Sequence, residues 1–135
     1  SKSLKYKDIV LAGHINNDHA RYELHRVWKV EATLKDGKRN IYSKRTFYLD
    51  EDTWAIVIED LYDGRGSLWR VAEAHSKYFY DLGSVFPTVQ VHYDLDSNRY
   101  LVSGLANELR AKFTFDNKFE SKDFTPAALR RAGRR

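Results

Sequence analysis

Tyr22-Glu23-Leu24-His25-Arg26-Val27-Trp28-Lys29-Val30-Glu31-Ala32-Thr33-Leu34 carries apolar residues at positions 22, 24, 28, 30, 32 and 34. A period of two is the pattern of a half-buried strand, because successive side chains leave a pleated backbone on opposite faces. Asp36-Gly37 follows, a pair suited to a tight hairpin, since both central residues of a type I′ turn need positive φ. The returning stretch from Arg39 to Leu49 is apolar at the odd positions Ile41, Phe47 and Leu49. A two-residue loop would pair Ala32 with Ile41, Trp28 with Arg45 and Leu24 with Leu49, gathering both apolar sets on one face.

The pattern continues outward. A turn at Asp50 to Thr53 leads into Trp54, Ile56, Ile58 and Tyr62, with Leu49 expected opposite Trp54 and Phe47 opposite Ile56. Asp63-Gly64-Arg65-Gly66 turns the chain again, and a strand from Ser67 to Tyr80 follows. A three-residue loop with a bulge would set its Leu68, Ala72 and Ala74 opposite Tyr62, Ile58 and Ile56. Asp81 to Pro87 reads as a loop. Val89, Val91, Tyr93 and Leu95 then alternate, turn at Ser97-Asn98 and return through Tyr100 and Val102, and Lys112 to Asp116 is a candidate edge strand. Thr125-Pro126 supplies an N-cap and a first helical residue for a helix from Pro126 to Ala132. Successive hairpins without crossover helices predict an all-β fold. It is a curved antiparallel meander forming a half-open barrel, with a short C-terminal helix. No repeat or linker divides the 135 residues, which read as a single domain, 1–135.

The formal charge of +4 is a property of one end: Arg130, Arg131, Arg134 and Arg135 account for all of it. The body is neutral, which argues against a basic groove and against nucleic acid as a partner. Zero cysteines exclude disulfides and thiolate chemistry. The five histidines lack metal-ligand spacing: His14 and His19 lie five apart, and His25 and His92 are expected to point away from the apolar face. Neither a metal nor a cofactor is implied, since no phosphate loop or dinucleotide fingerprint occurs. No run of 18 apolar residues is present. The chain begins at Ser1 rather than methionine, as expected of a processed or partial chain.

The expected register puts Arg26, Ser43, Arg45, Asp60 and Arg70 on the apolar face, with Asp60 opposite both Ser43 and Arg70. Inward charges need partners or a ligand. In one reading Asp60 and Arg70 form a structural ion pair while Trp28 stacks on Arg45. In the other, surplus arginines bind an anionic head group within a concave face, the ligand-binding set being Arg26, Trp28, Arg45, Phe47, Asp60 and Arg70. Asp50, Glu51 and Asp52 read as a solvated turn, and no catalytic residue is assigned.

Several strings resemble a Gram-negative bacterial family of unknown function similar to outer-membrane lipoprotein-sorting proteins. They are Arg21 to Trp28 leading to Val30 to Leu34, then Arg45 to Trp54, Tyr62 to Gly66 with Leu68-Trp69-Arg70, Glu73-Ala74-His75, and Asp123 to Gly133. The resemblance spans about Gly13 to Gly133 and covers the C-terminal part of that family. It departs at Val85-Phe86-Pro87-Thr88, where a proline followed by aromatics is expected. The resemblance implies non-enzymatic binding or carriage of lipid or lipoprotein acyl chains in the periplasm or at the outer membrane. The partners implied are lipid or acylated protein, an envelope transporter, or a second copy joined through an open sheet edge. Two further classes stand beside it: an enzyme acting on a hydrophobic small molecule through the Arg/Asp cluster, and an assembly module docking to an envelope transporter.

Overall fold

Alternating stretches become six strands, hydrogen-bonded in chain order as one antiparallel sheet that does not close. They are β1 (Val27–Thr33), β2 (Lys44–Asp50), β3 (Ile56–Tyr62), β4 (Leu68–Phe79), β5 (Ser84–Asp94) and β6 (Arg99–Ser103). A short helix α1 (Tyr6–Ile9) precedes them and α2 (Pro126–Ala132) follows. The computed structural model describes residues 4–109, 115 and 118–133. Helix α2 has the boundaries its cap signals predict, with the Thr125 hydroxyl accepting from the Ala128 amide.

The first hairpin is wider than a two-residue loop would make it. Trp28 pairs with Leu49 and Ala32 with Arg45, so residues 34–43 form the connection. Asp36-Gly37 still turns the chain, with Gly37 at φ 74 and the Lys38 amide donating to the Lys35 carbonyl, but at the tip of that loop. The second side of the loop is drawn toward β3, where the Ser43 amide donates to the Tyr62 carbonyl. The expected pairing of Trp28 with Arg45 is therefore displaced by four residues. An even displacement preserves faces, and Trp28, Val30, Ala32, Arg45, Phe47 and Leu49 stay on one side.

Each of the next three pairings contains a bulge, leaving Val57, Trp69 and Thr88 as the extra residues. A longer turn at Asp50 to Ala55 and these insertions together overturn the expected register across β3. Leu49 pairs with Ile56 rather than Trp54, and Phe47 with Glu59 rather than Ile56. Trp54 instead sits in the turn at φ 58. Leu68 does face Tyr62, but beyond Trp69 the register moves by one, so Arg70 faces Leu61 and Ala72 faces Glu59. Strand β5 begins at Ser84, inside the stretch expected as loop, and accommodates Pro87 beside the third bulge. The candidate edge strand Lys112 to Asp116 lies, Phe115 apart, outside the described residues.

The β4 to β6 part of one face of the sheet is covered by the segment preceding β1. Ile15 is buried on it, Val91 is fully buried in the sheet beneath, and the Tyr100 hydroxyl donates to the Leu11 carbonyl at 2.6 Å. Tyr100 stacks on Tyr93, and the Tyr22 hydroxyl donates to Glu73 at 3.2 Å. Among the described residues no element packs across the other face.

Gly104, just past β6, has φ 82, and a β-carbon there would overlap the Thr88 carbonyl at the third bulge. Gly37 shares the positive φ but has open space around it. Gly104→Ala is therefore expected to cost about 2–4 kcal/mol, backbone strain plus overlap, against about 1 kcal/mol for Gly37→Ala. Thermal melts followed by circular dichroism check this, and equal shifts in the two variants would contradict the close approach.

Candidate functional site

The uncovered face is built from cross-strand rows. One row runs Ala32, Arg45, Leu61, Arg70, Asp94, Arg99, and the next Val30, Phe47, Glu59, Ala72, His92, Leu101. Leu61 and Ala72 are buried, while Trp28, Val30 and Leu101 are 56%, 45% and 63% exposed. A groove of about 510 Å³ lies on the β3 to β6 half, lined by Tyr42, Leu61, Arg70, His92, Arg99 and Leu101 among others. Beside it, a hollow of about 140 Å³ lies between Ile56, Ala72, Ala74 and Gln90.

Four of the six residues expected to form a binding set share this face: Trp28, Arg45, Phe47 and Arg70. Asp60 does not, because the bulge at Val57 pairs it with Thr46 and turns it to the covered side, where it accepts from the Tyr48 hydroxyl at 3.0 Å. Arg26 lies before β1, largely exposed, and its guanidinium donates to Glu51 at 2.6 Å. The expected Asp60–Arg70 pair is thus replaced by two others. Arg70 donates to Asp94 at 2.9 Å and to the Tyr42 hydroxyl at 2.9 Å, and Arg45 approaches Glu59 at 3.5 Å. Trp28 stacks on Trp54, while Arg45 lies over Tyr42 and Arg70 over Trp69. Arg45 and Arg70 each have their own carboxylate, so the expected three-to-one excess does not form among the residues read from the sequence.

Sequence reasoning missed Glu59, His92, Asp94 and Arg99. His92 was expected to face away and instead lines the groove. His25 lies outside β1 and pairs with Asp50 at 3.0 Å, with Asp52 nearby, donor atoms of all three falling within 4.8 Å. Asp50 is already engaged by the Thr53 hydroxyl and amide, whose bonds hold its carboxyl below the usual range, so the group reads as a turn cap. Asp94 had a local signal in Asp94-x-x-Ser97, since its carboxylate accepts from both the amide and the hydroxyl of Ser97.

The Ser97 amide, then Arg70, hold the Asp94 carboxyl at about 2, below its ordinary 3.8. A depressed carboxyl contributes stability that is fully present above the unfolded value and is lost as pH falls through the folded one. Wild type should therefore exceed Asp94→Asn in stability at pH 6, and the gap should narrow between about pH 4 and pH 2. Urea melts across that window check it, and a constant gap would show that Asp94 acts only through shape.

Comparison with known proteins gives three findings. The family described as "Protein of unknown function (DUF1329)" matches residues 1–130. An uncharacterised protein of Pseudomonas aeruginosa is 55% identical over 130 residues, covering 96% of this chain but 29% of that protein, so the chain spans under a third of its relative's length. A crystal structure from Vibrio parahaemolyticus, described as an outer membrane lipoprotein-sorting protein domain, matches with TM-score 0.55 at 18% identity, over 78% of this chain and 42% of that one. The last likeness shows a shared fold.

Proposed function

Because the chain belongs to the DUF1329 family, whose description assigns no activity, we propose a function from the open face itself: it shelters acyl chains of lipid or acylated protein in the bacterial envelope, by burial and without catalysis. The observation that carries this reading is the one-sided cover of the sheet. The segment before β1 shields the β4 to β6 part of one face, while the other face leaves Leu101 exposed at a groove of about 510 Å³ and Trp28, Val30 and Ile56 exposed beyond it. An apolar surface of that kind, rimmed by polar groups, marks a site where something apolar binds. The volume falls within the range of about 300–1,000 Å³ typical of small-ligand sites. A fold shared with a domain described as lipoprotein-sorting supports the envelope setting. Strand β1, exposed along its whole length, is where an envelope partner or a second copy would add a strand.

The test is binding of Nile red, a neutral apolar dye, to the purified chain. Wild type should enhance its fluorescence. Leu101→Glu, on the open face, should weaken binding about tenfold or more, the worth of one apolar side chain's contact. Thr33→Glu, exposed on the opposite side, should leave it unchanged. Equal effects of the two substitutions, or no dye binding at all, would overturn the reading.

A further inference from the structure

We propose that the ligand of the open face is a single-chain amphiphile with an anionic head, a long-chain carboxylate, held with its head at Arg99 and its chain running toward β3. This rests on the acyl-binding reading and specifies its ligand.

The charges of the face decide where a head group can sit. Arg45 is met by Glu59 and Arg70 by Asp94. Arg99 lies opposite Asp94 in the β5–β6 register, yet one Asp94 oxygen serves Arg70 and the other serves Ser97. Arg99 is left without an ion pair among the described residues, exposed and lining the groove. An arginine there is already charged and offers a planar donor fork matched to a carboxylate. Farther into the face Glu59 is spent on Arg45, so the middle of the sheet offers a head group no free cation.

The apolar part has a route away from that cation. Leu101 and Leu61 flank the larger hollow, and the smaller one lies beyond it between Ile56, Ala72 and Ala74. The two share Glu59 and His92 in their walls, so they form one continuous trough. Two alanines in succession on that side of β4 keep its floor clear of bulky side chains. A trough of this volume takes one chain, the bulk of a drug-sized molecule, and leaves no room for a two-chain phospholipid.

Displacement of Nile red by dodecanoate and by dodecanol separates head from chain. Wild type should bind dodecanoate about tenfold more tightly, as for a hydrogen bond to a charged group. Arg99→Gln should abolish that preference with dodecanol unchanged, and Arg99→Lys should keep part of it. If both ligands displace the dye and Arg99→Gln alters neither or both equally, the head-group assignment falls while acyl binding stands. If neither ligand displaces a dye that the chain does bind, the acyl reading falls with it. Tighter binding of phosphatidylglycerol vesicles than of dodecanoate would overturn the single-chain assignment.

Discussion

A carboxylate that leaves water must find donors, and Glu73 on β4 finds them in a way that sets which side of the sheet is covered. Its side chain is only 15% exposed, with the His75 ring at 3.5 Å and the Tyr93 hydroxyl at 3.0 Å. The Tyr22 hydroxyl completes the set from the segment before β1. The adjacent His75 ring first, with the tyrosine hydroxyls, keeps the carboxyl below its ordinary range despite burial, and burial in turn drives the Tyr93 hydroxyl upward. Without Tyr22 the carboxylate would keep one oxygen poorly satisfied. The segment is thereby pinned over Val91 and Tyr93, and the opposite face is left to solvent.

Local signals are legible in the sequence, whereas the long-range ones are not. The strands follow from alternation, and α2 from Thr125 and Pro126, because caps and periodicity act within a few residues. Alternation starts β1 at Tyr22, but the strand begins at Val27, since Tyr22 is taken by Glu73 and His25 by Asp50. One bulge is expected, at the turn after Tyr62, and the three inside the strands carry no signal, for a physical reason. Val57, Trp69 and Thr88 are good strand formers, with none of the glycine that often marks an inserted residue. From the first of them follows the reversal of Asp60, and with it the mistaken partner for Arg70. Trp28, Arg45, Phe47 and Arg70 were nonetheless placed on one face, because the error in the first hairpin was even and the two bulges flanking β3 did not disturb their common side.

The polar groups of that face are arranged to stay out of an apolar ligand's way. Tyr42, reaching in from the wide loop, lies under one guanidinium and accepts from the other, so both arginines lie close against the sheet. Paired in this way they present their stems more than their charge. The face is nearly neutral across its centre and polar at its margin.

Where three bulges interrupt one sheet, the face a side chain takes behaves like a reading frame. Loss of one residue, such as Val57, would exchange the inside and outside of β3 from that point until another irregularity restored them. A sheet of this kind can therefore change the lining of its groove through single insertions and deletions, with no substitution at any lining position. Relatives with similar composition but a residue more or fewer at these points would present quite different surfaces to whatever they bind.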